Sequence, residues 1–275
     1  MNFPHPGQKI AMKKITILFF ISLSLAGTCH RASGNGIQLR CPDLILDETP
    51  VHDANPEAGI LLRCQLVNEL ISSGLNLNSP LGSLIEAEIV QPYGLEINIE
   101  KTTGLAKSAL DHMLSDLPET ARLINYYQHT SYQVAYTNRI RSRFYASNHD
   151  NLSGSYIKLG GRIDTNNSHY NYFQSGQARL LFWRLWGNTI VGIRLKHKSM
   201  SRSVFQMQIR VFTRSRVLYG ILKSRLFQHL TRSMVKDFLL DIEDAVRQLQ
   251  TGWLNFPHRQ SDYYQALYHI QQQGQ

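Results

Sequence analysis

The sequence predicts an α+β fold: a curved antiparallel sheet gripping a long C-terminal helix, with two short helices after the first strand. Three observations carry this expectation. Residues 204–213, VFQMQIRVFT, alternate with a period of two, placing Phe205, Met207, Ile209 and Val211 on one face and Gln206, Gln208 and Arg210 on the other. That is how a strand with one buried and one wet side reads. Toward the C-terminus Val235, Phe238, Leu239, Ile242, Ala245, Val246 and Leu249 recur at helical spacing, with Lys236, Asp237, Asp241, Asp244 and Arg247 on the other side. Between Pro118 and Pro257 there is no proline, which suits uninterrupted strands and a long helix.

In chain order, Lys13 and Lys14 precede an apolar run from Ile15 to Ala26, and Ser24-Leu25-Ala26 offers small residues at the −3 and −1 positions of a cleavage site. This reads as a secretory signal peptide over residues 12–26, within a leader of 1–28 whose true start is Met12. The run is too short for a bilayer span, which needs about 20 residues. The competing reading is a buried N-terminal helix of a cytosolic protein. Export, to the periplasm or envelope, permits a disulfide. Leu25-Ala26-Gly27-Thr28-Cys29 resembles a lipobox, with Thr28 a poor fit; if Cys29 carries lipid, Cys41 and Cys64 are left to pair. Simple cleavage after Ala26 is the alternative.

Residues 29–83 are rich in Gly and Pro and read as an N-terminal extension, with one short helix through Leu61–Ile71. From Leu84 the texture changes. LEINIEKTTGLAKSALDHMLSDLPETARLI reads as strand, short helix, second short helix, Asp116 capping the second helix with Glu119 as its capping-box partner. Strands are expected near Tyr132–Thr137, Ile140–Ser147, Ser155–Gly160 and Tyr170–Gly176, with GGRIDTNNSHY at 160–170 as a long loop. In RLLFWRLWGNTIVGIRLKHK, Gly187-Asn188 fits a two-residue hairpin turn, since Gly tolerates the positive φ of a type II′ turn. Beyond it Val191, Ile193, Leu195 and His197 alternate with Arg194, Lys196 and Lys198. The final helix is expected over Leu226–Gln250, followed by a tail, 251–275.

At LSDLPETARLI, VFQMQIRVF and MVKDFLLDIEDAVRQL the chain resembles the START-like, polyketide cyclase and lipid-transport superfamily, over about residues 84–250. The resemblance implies a helix-grip fold enclosing a cavity for a lipid or other apolar small molecule. Cavity candidates are Val191, Ile193, Leu195, His197, Phe205, Met207, Ile209, Phe238 and Ile242.

Charge is unevenly placed in this chain of net charge +9. From Arg139 to Arg232 there are seventeen Lys or Arg and two acids, Asp150 and Asp164, whereas the region before Arg139 carries thirteen acids. Arg139, Arg141 and Arg143 are expected on one strand face, as are Arg194, Lys196 and Lys198, with Arg210, Arg214 and Arg216 continuing the pattern. A basic sheet face suits an anionic membrane surface, where each cation contributes about 1 kcal/mol. Solvated outward positions are the bland alternative. Export disfavours nucleic acid, for which Tyr145, Tyr156, Tyr172 and Trp183 would be stacking surfaces.

Catalytic signatures are absent from the sequence: there is no HExxH, nucleophile elbow, metal-ligand spacing or cofactor motif. Ser153-Gly154-Ser155 reads as a turn, and Gly160-Gly161 lacks the context of a phosphate loop. His112 and Asp116 read as a surface pair. The expectation is therefore an exported apolar-ligand-binding protein that is not an enzyme and uses no cofactor or metal. The alternatives are a cyclase or hydrolase using His197 and a cavity tyrosine, and an envelope assembly protein whose interior is filled by its own side chains.

Overall fold

The computed structural model describes residues 56–148, 152–180 and 183–273. The leader, Cys29 and Cys41 lie outside these residues, so the signal peptide, the lipidation and the pairing of Cys41 with Cys64 stand as proposals below.

Seven strands form one antiparallel sheet: β1 (Tyr93–Thr103), β2 (Gln133–Tyr136), β3 (Arg143–Ser147), β4 (Leu152–Ile163), β5 (Asn167–Leu180), β6 (Trp183–Ser199) and β7 (Arg202–Thr213). Their order is β1-β7-β6-β5-β4-β3-β2. The helices are α1 (Pro56–Ser72), α2 (Pro80–Ile89), α3 (Lys107–Ser115), α4 (Leu117–Gln128), α5 (Arg216–Lys223), α6 (Arg225–Gly252) and α7 (Asp262–Gln272).

The period-two pattern of β7 holds: Ile97 of β1 pairs with Ile209, and Val191 of β6 with Ile209 on its other side. This aligns the inward residues of three strands in rows. On the inward face Leu195, Phe205 and Tyr170 join Leu110 and Met113 of α3, Leu123 of α4 and Leu239, Ile242, Val246 and Leu249 of α6 in one buried cluster.

The outward face is not wholly wet. Phe173, Ile190 and Phe212 point outward and form a second buried cluster with Leu66, Val67 and Leu70 of α1 and Ile85 and Ile89 of α2. The N-terminal helices thus cover part of the sheet's far side, giving three layers. Leu66 and Leu70 stand one turn apart on α1, so one helix face meets the sheet. Pro80 opens α2, and the Ser79 side chain accepts from the Gly82 amide. Arg63 fastens the two helices, donating from Nε to the Ile89 carbonyl and from Nη2 to the Gln91 carbonyl, each at 2.9 Å.

Glycine allows the closest approach. Gly160 sits at a bulge in β4 with φ +146°, and a Cβ there would lie 1.9 Å from the Ser73 carbonyl oxygen. The end of α1 therefore rests on this glycine, and Asn171 Nδ2 donates to Ser73 Oγ nearby.

Several sequence expectations are corrected. Gly187-Asn188 is not a turn: β6 runs through it, Gly187 pairing with Gly176 and Asn188 with Ser175. The alternation of residues 189–195 simply continues backward, and Asn188 donates to Glu88 of α2. Residues 160–170 are the end of a β4–β5 hairpin, with the Asp164 carboxylate accepting from the Asn166 and Asn167 amides. Residues 153–155 lie within β4. Asp116 makes no side-chain cap; its carboxylate accepts instead from Arg141 Nη1 at 2.7 Å. Arg139 and Arg141 precede β3 and share no strand face with Arg143. His112 bonds the Tyr263 carbonyl and stacks on that ring, with no pairing to Asp116.

The segment after Gly252 is packed. Phe256, Tyr264 and Leu267 are buried in the inward cluster, and Tyr264 Oη donates to Glu119 Oε2 at 2.8 Å. A glycine and a short amphipathic helix read as an appendage in sequence because the surface they cover, on α3 and α4, is remote along the chain.

Candidate functional site

The inward face of the sheet changes character from one end to the other. At one end the row Ser168, Leu195, Phe205 is buried, and a cluster of polar groups is bonded together beside it. Asp111 of α3 accepts from Tyr170 Oη at 2.7 Å, Ser168 Oγ at 3.0 Å and Lys107 Nζ at 2.7 Å. Lys107 also donates to the Asp164 carbonyl. The Tyr170 hydroxyl pKa is pushed up by burial and by the Asp111 carboxylate it bonds. These bonds tie α3 to β5 and to the β4–β5 hairpin at this end.

Toward the other end the burial loosens. Tyr156, Gln174, Thr189, Val211 and Leu95 form one inward row across β4, β5, β6, β7 and β1, and each is half-buried. One row further out, Gly154, Gly176 and Gly187 are aligned, so the rim of the inner face carries no side chains there. A Cβ on Gly176 would lie 2.3 Å from the Ser153 carbonyl oxygen, so the bare rim is also a site of close strand approach that favours bending. Helix α6 shows the same gradient. Leu239, Ile242, Ala245, Val246 and Leu249 are buried, whereas Phe227, Leu230, Met234, Val235 and Phe238 are half-buried.

Aromatic residues line the neighbouring part of the inward face. Phe144 stacks on Tyr156 with centroids 4.9 Å apart and meets Tyr172 edge-on at 5.9 Å. Neither the Tyr156 nor the Tyr172 hydroxyl has a hydrogen-bond partner among the described residues, and burial pushes both pKa values up. Each hydroxyl oxygen keeps some contact with solvent, which is how it goes without a protein partner. Two unpaired hydroxyls on an apolar inner wall are groups that a guest molecule's polar atom can meet.

The predicted cavity residues divide accordingly. Val191, Ile193, Leu195, Phe205 and Ile242 belong to the buried cluster; Met207, Ile209 and Phe238 are half-buried. His197 is exposed, beside a register shift at the end of β6, so it is not a cavity residue, and a cyclase or hydrolase reading built on it loses its histidine. Tyr156, Tyr172, Gln174 and Leu95 were not among the sequence candidates. The two-residue spacing of Tyr170 and Tyr172 was the available signal for that face.

The predicted basic face is also divided. Arg210 is buried: its Nε donates to Glu96 Oε2 at 2.8 Å, and its Nη2 lies 3.1 Å from Glu69 Oε2. Glu69 of α1 also takes Arg194 Nη2 at 3.1 Å and His169 Nε2 at 2.8 Å. Arg210 therefore holds a helix to the sheet and is removed from the set of membrane contacts, while Arg194 is partly neutralised. Lys196, Lys198, Arg214 and Arg216 are exposed. A solvent-open cleft of about 430 Å³ beside this cluster is lined by Glu69, Ser72, Asn167, His169, Arg194 and Lys196. Another of about 480 Å³ lies between α4 and β2, lined by Ala121, Arg122, Asn125, Tyr132, Val134 and Tyr145.

No protein-family model and no curated protein matches the chain. Solved structures similar to it include Ara h 8.0201, with TM-score 0.41, 11% identity, and 55% of this chain and 96% of that chain covered. A START superfamily protein from Mycobacterium smegmatis has TM-score 0.36 and 12% identity over 56% of this chain and 98% of that one. The Zhui aromatase/cyclase from Streptomyces sp. R1128 has TM-score 0.29 and 12% identity, over 57% of this chain and 96% of that one. By its own strand order, the two helices between β1 and β2 and the long C-terminal helix packed on the inward face, the chain has a helix-grip fold.

Proposed function

We propose that the protein binds an apolar small molecule, lipid-like in character, at the loosened end of its interior. The observation that carries this is the pair of tyrosine hydroxyls, Tyr156 and Tyr172, that have no partner among the described residues and share the inward face of the sheet with half-buried Met207, Ile209 and Val211. An apolar enclosure with few polar anchors is what such binding requires. A ligand hydroxyl or carbonyl would bond the phenols while its chain lies along β7 and the first half of α6. The leader sequence supports export, with Cys29 as the lipidation candidate and Cys41 paired with Cys64; intact mass of the mature, non-reduced protein tests all three.

Native mass spectrometry of the mature protein, with uptake of an environment-sensitive apolar dye alongside, tests the ligand reading. Adduct masses and saturable dye uptake are expected, with Val211→Trp, which fills the loosened row, reducing uptake while the thermal transition persists. A clean mass and no uptake would leave the interior as packing alone.

A further inference from the structure

The segments at the loosened end of the interior also carry exposed apolar side chains and exposed arginines. The pairing of Thr189 with Val211 puts the start of β6 beside the end of β7, from which α5 and the first turn of α6 follow. Trp186 on β6 is 68% exposed, Val217 on α5 65% and Leu226 at the start of α6 56%. The same segments carry Arg184, Arg216 and Arg225, all exposed and without an ion-pair partner among the described residues. No acid occurs between Asp164 and Asp237. Two acids near this end are half-buried and engaged, Glu88 of α2 accepting from Asn188 and Glu96 of β1 from Arg210.

We propose that this end of the molecule docks on an anionic lipid bilayer, Trp186, Val217 and Leu226 entering the interfacial layer and Arg184, Arg216 and Arg225 meeting the headgroups. This deepens the apolar-ligand reading and rests on it, because the docked end is the one toward which the interior loosens. An exposed tryptophan at a strand end, with apolar and cationic residues on α5 and the first turn of α6, is the chemistry of interfacial binding. Charge alone selects an anionic surface, and the apolar trio selects a bilayer over an acidic polymer. Lys196 and Lys198 lie at the opposite end of β6 and take no part.

The test is co-sedimentation of the full chain with vesicles of phosphatidylglycerol and phosphatidylcholine, and with phosphatidylcholine alone. Binding to the anionic vesicles is expected, weakening with salt. Arg184→Glu/Arg216→Glu/Arg225→Glu and Trp186→Ser/Val217→Ser/Leu226→Ser should each lose more than about tenfold in affinity, and Lys196→Glu/Lys198→Glu should keep it. The substitutions are at exposed positions, and circular dichroism melts confirm folding. The proposal is overturned if the natural chain ignores anionic vesicles, if neither triple variant loses binding, or if the lysine pair matters as much. Dye uptake measured without vesicles separates the two readings: uptake preserved in the triple variants leaves the interior site standing whatever the vesicles show, and vesicle binding by a chain that takes up no dye refutes the interior site alone.

Discussion

Glu69 Oε1 lies 2.8 Å from His169 Nε2, joining the first helix to the outward face of β5. Burial by itself raises the Glu69 pKa; the close approach of His169 and the charge of Arg210 outweigh it and hold the carboxyl at about 2, against 4.5 unperturbed. A carboxylate held down in the folded state stabilises above its unfolded pKa, and that contribution is lost as pH falls from 4.5 toward 2. Glu69→Gln should lower stability at neutral pH by about 3 kcal/mol, because Arg210 is left buried without its full complement of charge. Urea midpoints followed from neutral pH downward should fall less steeply for the variant, since the group that titrates has gone. Parallel curves for the two chains would show that Glu69 does not govern acid stability.

Two glycines make opposite predictions. Gly160→Ala introduces a side chain where φ is +146° and the Ser73 carbonyl oxygen would lie 1.9 Å away, so α1 must lift from the sheet. A loss above about 3 kcal/mol in chemical denaturation is expected. Gly187→Ala meets nothing within 4 Å and lies in a strand. Its effect should stay within about 0.5 kcal/mol; a larger loss would point back to a glycine-requiring turn.

Asp111 serves three donors at the closed end of the interior. Asp111→Ala leaves Lys107 with its carbonyl partner alone and should lower stability by about 3 kcal/mol, read from urea midpoints. Tyr170→Phe removes one bond and should lower it by about 1 kcal/mol.

Tyr156→Phe and Tyr172→Phe delete hydroxyls that have no partner among the described residues. Stability should change by less than about 0.5 kcal/mol, while affinity for a polar-headed apolar ligand falls by about fivefold to tenfold, as loss of one hydrogen bond implies. Isothermal titration with a fatty alcohol is a direct measurement. A large stability loss with unchanged affinity would make these tyrosines structural.

Tyr264 is fully buried although it lies in the final helix. Tyr264→Ala should lower stability by about 3 to 5 kcal/mol, and a chain ending at Gly252 should lose its cooperative thermal transition.

Much of the architecture was legible because it rests on local periodicity. The two-residue alternation of 204–213 specifies which side of β7 is inward wherever the strand sits, and the spacing of Val235 to Leu249 specifies the buried stripe of α6. The helix at Leu61–Ile71 was legible in the same way, though not what it covers. Phe173, Ile190 and Phe212 interrupt the polar side of their strands, and only the placement of α1 and α2 against them explains why. The site was less legible. His197 alternates correctly with Val191, Ile193 and Leu195, yet alternation says nothing about where along a strand the interior stops.

The sequence by itself determined the strand and helix periods, the inward residues of β6 and β7, and the crowding of cations into one half of the chain, because each depends only on neighbours along the backbone. Tertiary structure decided which cations are free. Glu69 reaches Arg194 and Arg210 from more than a hundred residues away, so a basic stripe along the sheet became a tether for α1, leaving Arg184, Arg216 and Arg225 exposed at the end toward which the interior loosens. Charge neutralisation and enclosure are set by distances in space, which no spacing in sequence records.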